Sequence, residues 1–221
     1  MTEPLFVTAA RVARIEGALD RRVGGVVAVC EAVRRRHNVS AILRSCEAFG
    51  VHEVHLVTQG FRPAPGAARG AERWVRRRRF DHVADSLAEL RGRGFRIYIA
   101  DLAEEAFTPE SVPVDQPLAL VFGSEVRGVS ETARSLADGV IRVPMVGLTE
   151  SLNVSVSAAI ALRSVVERRR AFAGNDLDPA EKARFIAEWL AAEERAARGF
   201  AARTAPRRPR AGPEPSPGSE P

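Results

Sequence analysis

Residues 144–159 join a rigid loop to a segment that invites close contact. Pro144 ends the strand-like run Gly139 to Val143, Gly147 lets the backbone turn tightly, and Ser151 and Asn153 stand where side chains can cap a new helix. Open amides at such a start can hold a polar ligand. The plain alternative is an ordinary capped helix whose small residues pack on a neighbour. Two more segments set donors and acids beside glycine: His37 to Gly50, with Asn38 and Arg44, and Leu118 to Ser130, where an apolar run ends at Gly123 two residues before Glu125. Arg44 offers a planar fork of donors, the asparagines both give and accept, and Glu125 accepts. Taken singly, Asn38 reads equally well as a helix cap and Glu125 as a turn acid.

Several familiar chemistries are absent. Gly92 and Gly94 precede a strand and lack a third glycine, so the dinucleotide fingerprint is missing. The sole lysine, Lys182, lies in a late helical segment and cannot serve a phosphate loop. His37, His52, His55 and His82 have no metal-ligand spacing, and two cysteines are too few for zinc, so no metal is expected. Cys30 and Cys46 both fall in apolar runs, which points to core thiols in a reducing, cytoplasmic setting. No secretory layout opens the chain and no apolar run reaches membrane-spanning length, so no membrane partner is expected. The formal charge is +5, and all but one of the 33 basic residues are arginine. That excess points to a polyanionic partner, since neutralising phosphates releases counterions.

The elements that must position these residues follow from periodicity. Thr8 to Asp20 reads as a capped helix with Val12, Ile15 and Leu19 inward and an arginine-rich outer side of Arg11, Arg14, Arg21 and Arg22. Val26 to Val33 is a buried strand, and a helix capped by Asn38 follows with the stripe Val39, Ile42, Leu43, Cys46 and Phe49, stopped by Gly50. Glu53 to Thr58 is a strand, 60–72 a loop, Asp81 to Arg91 a helix, and Arg96 to Ala100 and Leu118 to Phe122 are strands. Alternating strands and helices predict an α/β fold, a parallel sheet covered by helices. Asp178 and Pro179 open a last helix with one apolar face of Phe185, Ile186, Trp189 and Leu190. Six of the 14 prolines crowd the final 18 residues, a composition that predicts disorder. The expected division is a helical extension over 1–22, a central domain over 23–174, a second helical extension over 175–203 and a tail over 204–221.

In order, spacing and the pairs Asn38/Arg44, Gly123/Glu125 and Ser151/Asn153, the three segments closely resemble the three motifs of the SpoU, or TrmH-like, branch of the SPOUT RNA 2'-O-ribose methyltransferases. The likeness runs from about residue 8 to 195 and is strongest to the tRNA guanosine enzymes of that branch; the added N-terminal RNA-binding domain of many ribosomal RNA relatives is not seen. The resemblance implies a deep trefoil knot, a homodimer and S-adenosyl-L-methionine bound in a bent form. It places the cofactor against Ala100, Gly123, Val143 and Leu152. The family usually carries a hydroxyl or small residue at the first of these, so Ala100 gives up one polar contact.

A ribose 2'-hydroxyl is a poor nucleophile at neutral pH, so a site that methylates it must align it with the methyl donor and stabilise the growing oxyanion. Among the catalytic positions the resemblance implies (Asn38, Arg44, Glu125, Ser151 and Asn153), Arg44 suits the oxyanion. A guanidinium resists deprotonation, which favours stabilisation over a role as base. Asn38 is expected to hold the third-motif loop and Glu125 to orient or pair with Arg44. Arg11, Arg14 and Arg168 are the expected RNA contacts, although Arg76 to Arg79 and Arg168 to Arg170 read first as solvated faces. The expected reaction is 2'-O-methylation of the tRNA D-loop guanosine at position 18. Ribosomal RNA as substrate, or a non-catalytic RNA-binding protein on the same fold, are the alternatives.

Overall fold

The computed structural model describes residues 7–57, 70–174 and 177–204. Six parallel strands run in the order β3-β2-β1-β5-β4-β6: β1 Val23–Glu31, β2 Val51–Val57, β3 Arg76–Phe80, β4 Arg96–Ala100, β5 Leu118–Phe122 and β6 Gly139–Ile141. Helices α1 Ala9–Leu19, α2 Arg36–Phe49, α3 Val83–Gly92, α4 Glu131–Ser135, α5 Val154–Ala173 and α6 Pro179–Thr204 complete the chain. Every residue of β2 and β5 is buried, as parallel strands covered on both faces require.

Side-chain alternation divides the core in two. Val26, Ala28 and Cys30 of β1 point to a cluster shared with Ile42, Leu43 and Cys46 of α2 and Ala158, Leu162 and Val165 of α5. Val27 and Val29 point the other way, to Leu87 and Leu90 of α3 and Ala133 of α4. Burial holds both thiols protonated, Cys30 pushed up to about 12. The two cysteines are free.

A third cluster joins the two ends of the chain. Ile15 and Leu19 of α1 meet Phe185 and Trp189 of α6, with Trp74 edge-on to Trp189 at 5.1 Å between centroids. The apolar face of α6 thus finds its partner in α1. Thr8 caps α1, and Asp178 caps α6 by accepting from the amides of Ala180 and Glu181.

Three arginine expectations need correction. Arg22 is not on an outer side: it is 2% exposed, donates to the carbonyls of Glu47 and Val51, and pairs with the Glu47 carboxylate. Arg76 to Arg79 form an edge strand that is solvated on one side only, because alternation sends Arg76 and Arg78 toward carboxylates and leaves Arg77 and Arg79 exposed. Arg168 to Arg170 are backbone struts. Arg168 donates to the carbonyls of Pro109 and Val112, Arg169 to that of Val114, and Arg170 to those of Arg21 and Phe49. Arg168, half-buried, therefore supports a loop within the protomer. The short α4 went unread because five residues carry no clear helical period. Of the expected tail, 204–221, Thr204 closes α6 and the rest lies outside the described residues, as do 60–69 of the expected loop.

Candidate active site

The strands β4, β5 and β6 end together, and a cavity of about 590 Å³ opens beyond their carboxyl ends, a common place for ligands in α/β sheets. Ala100, Gly123, Val143 and Leu152, the four expected cofactor contacts, all line it. So do Glu125, Ser151 and Asn153.

Gly123 has a steric reason to be glycine. A Cβ there would fall 2.1 Å from the carbonyl carbon of Gly128 and 2.2 Å from the amide nitrogen of Val129, an impossible approach to fixed backbone. Ser124 and Gly128 close this hairpin-like loop with mutual amide-to-carbonyl bonds of 2.9 Å, and Gly128 takes φ +65° to do so. The loop from Gly123 to Val129 is thereby folded onto itself, with Glu125 projecting from it.

Glu125 links the first and second motifs. It accepts from Asn38 Nδ2 at 2.7 Å and from the amides of Arg34 and Arg35 at 3.3 Å each. Partial burial alone would raise its carboxyl, but its own amide, Asn38 and those two amides outweigh this and hold it below the ordinary glutamate value. Asn153 Nδ2 then donates to Asn38 Oδ1 at 3.2 Å, so the second asparagine ties in the third motif. Asn153 also caps α5, accepting from the Ser155 amide at 2.8 Å and the Ser155 hydroxyl at 2.7 Å.

Some expectations on this site change. Asn38 is not a helix cap: α2 begins at Arg36 with Arg35 at the cap position, and Asn38, 7% exposed in the first turn, reaches across to Glu125 and Asn153. Of the two expected caps of α5, Asn153 fills the position and Ser151 lies before it in the pocket wall. Glu125 does not pair with Arg44. Six residues beyond Asn38, Arg44 sits about 9 Å further along the helix and about 120° around it. It is exposed, makes no ion pair among the described residues, and is not part of the pocket wall within one protomer. Arg11 is half-buried, paired with Glu193 at 2.9 Å and stacked over Trp74, while Arg14 is exposed. Sequence reasoning missed Arg35, Arg127 and Arg142 in the pocket wall and the ion pair of Arg134 with Asp101 there. Position beside the motif glycines and Asn38 was the available signal.

The profile of the SpoU rRNA methylase family matches residues 25–163, which spans β1 to α5 and therefore every wall of this pocket. The chain belongs to that family. Among SpoU relatives, a tRNA (guanosine(18)-2'-O)-methyltransferase of Thermus thermophilus is 41% identical over 189 residues, 83% of this chain and 97% of that protein. The crystal structure of the A. aeolicus TrmH/SpoU tRNA modifying enzyme superposes with a TM-score of 0.75 at 29% identity, over 83% of this chain and 96% of the other. The SpoU methyltransferase AviRb of Streptomyces viridochromogenes, solved in complex with AdoMet, shares the fold with a TM-score of 0.59 at 22% identity, over 66% and 60%.

Proposed function

We propose that the chain is a tRNA methyltransferase that transfers a methyl group from S-adenosyl-L-methionine to the 2'-oxygen of the D-loop guanosine at position 18. The observation that carries the reading is the hydrogen-bonded chain Glu125–Asn38–Asn153, which ties three distant segments into one wall of the pocket. A methyltransferase relative matching nearly end to end supports the substrate.

The pocket fits the cofactor. Its glycine floor at Gly123, the small residues Ala100 and Ala161, and backbone from three strand ends leave room for a flat base and a folded chain. Bound there, S-adenosyl-L-methionine would supply a methyl group on a sulfonium. The chain's own residues must do the rest. Asn38 and Asn153 fix the loop before α5 against the loop after β5, so that Ser151 and Leu152 hold their places in the wall. Arg44 supplies a planar donor fork for the 2'-oxygen and the neighbouring phosphate as negative charge develops.

Because Arg44 lies outside the pocket of its own protomer, its catalytic role requires a second copy to bring it to the site. We therefore read the protein as a homodimer with the trefoil knot of its family, working in the cytoplasm. The small face of α5, made of Val154, Ser155, Ala158, Ala159 and Leu162, is partly taken up within the protomer, since Ala158 and Leu162 are fully buried. Exposed Val156 and Ile160, one turn apart on α5, with Val146 and Leu148 before it, are left to cover. Two buried free thiols suit a reducing compartment. No helix among the described residues is long and apolar enough to cross a membrane.

The test offers purified protein, labelled S-adenosyl-L-methionine, unmodified tRNA and ribosomal RNA at equal salt. Label in the tRNA D-loop is expected, and label confined to ribosomal RNA would overturn the substrate. Mixing Arg44→Ala with Asn153→Ala protein should restore activity in mixed dimers, each of which keeps one intact composite site. No restoration would place Arg44 and the pocket in the same protomer.

A further inference from the structure

Charge on the pocket wall is unbalanced. Arg35, Arg127, Arg134 and Arg142 face Asp101 and Glu125 there. Asp101 is paired with Arg134, and Glu125 is held by Asn38 and two backbone amides. Among the described residues, neither the Arg35 nor the Arg127 guanidinium has a carboxylate partner, and both residues are exposed at the rim. Arg34 and Arg36, also exposed, flank Arg35 in the chain and add to the positive potential.

The proposed cofactor does not account for this excess. At neutral pH it carries an ammonium, a sulfonium and one carboxylate, a net positive charge that an arginine rim repels. The RNA brings the missing anion, one phosphodiester per nucleotide. Resting on the methyltransferase reading, we infer that Arg35 and Arg127 form an anion subsite that grips a phosphodiester flanking the target nucleotide, other than the one assigned to Arg44, and so sets the target ribose over the cofactor pocket. A guanidinium presents parallel donors to two phosphate oxygens, and an exposed, unpaired one has no ion pair to break first.

Arg35→Ala, Arg127→Ala and the double variant of the full chain test this, with cofactor binding measured calorimetrically without RNA and RNA binding measured across a salt series. Each removal should lower the slope of log affinity against log salt by about 0.7, the value for one phosphate contact on a single strand. The double variant should lose about thirtyfold or more in kcat/KM, chiefly through KM for RNA, about 2 kcal/mol. Cofactor affinity should stay within about twofold and the thermal midpoint should not move, since both side chains are exposed. Arg35→Lys should keep the salt slope while losing part of the affinity. An unchanged slope in the double variant would overturn the inference. So would a fall of more than about fivefold in cofactor affinity without RNA, which would put the arginines on the cofactor carboxylate. The wild-type arm reads the function separately: if it labelled only ribosomal RNA, the tRNA reading would fall and the variants would be compared on the labelled RNA. If it labelled neither, the slopes on tRNA would still decide the rim.

Discussion

The pocket rim and the far edge of the sheet use the same residue types in opposite ways. At the edge, Arg76 reaches Glu181 and Glu188, Arg78 reaches Glu89, and Arg93 reaches Glu53 at 2.6 Å, so α3 and α6 are pinned to β2 and β3 by neutralised pairs. Histidine and acid groups gather there too, His52, Glu53 and Glu181 in one cluster and Glu53, His55 and Glu89 in another, yet arginines occupy their carboxylates. At the rim, Glu125 is turned to amides and Asn38, and Arg35 and Arg127 stay exposed. Paired charge marks scaffold in this molecule, and unpaired charge beside a cavity marks where an anionic substrate fits.

The largest effect is expected at the unpaired Arg44: Arg44→Ala should lower turnover about a hundred- to a thousandfold, the scale of a lost oxyanion donor, with cofactor affinity and assembly unchanged. Arg44→Lys should fail as well, because a point charge does not reproduce a fork; either variant keeping a tenth of wild-type turnover would remove Arg44 from the chemistry. Gly123→Ala forces backbone apart and should destabilise the protein by about 3 kcal/mol while abolishing cofactor binding. Wild-type cofactor affinity in that variant would show that the loop is not part of the site.

The edge makes the opposite prediction. Burial works to raise the Glu53 carboxyl, but bonds from His55 and Arg93 bring it down to about 2 from 4.5. A depressed carboxyl contributes stability that is fully present above its unfolded value and is lost as pH falls from about 4.5 toward 2. The shift corresponds to at most about 3 kcal/mol. Glu53→Gln should lose up to that amount in denaturant unfolding at neutral pH and flatten the acid limb, with methyl transfer on folded protein near wild type. An unaltered acid limb would show the pairs to be inert. Smallest should be Arg11→Ala with Arg14→Ala, a loss of a few fold in tRNA affinity with a shallower salt slope, since Arg11 is already engaged by Glu193.

The sheet was legible wherever strands are buried on both faces, because Leu118–Phe122 and Arg96–Ala100 are uniform enough to bound themselves. β3 was not, since four arginines carry no apolar period, and it is the ladder with β2 and the carboxylates facing Arg76 and Arg78 that hold them as a strand. The pocket lining could be carried from the resemblance because it depends on backbone and small residues at fixed motif positions. The side-chain partners could not. Asn38 looked like a cap because asparagine near a helix start usually is one, and its true partners lie 87 and 115 residues away. Arg168 and Arg22 show the same limit, for an arginine's partner is decided by tertiary packing.

The most direct test removes one oxygen atom. Two otherwise identical unmodified tRNA transcripts, one with guanosine and one with 2'-deoxyguanosine at position 18, are incubated with the protein and labelled S-adenosyl-L-methionine, and the methyl groups per tRNA are counted. About one methyl is expected on the first transcript and none on the second, for a single 2'-oxygen acceptor. Equal labelling of both would place the methyl elsewhere and contradict a 2'-oxygen acceptor.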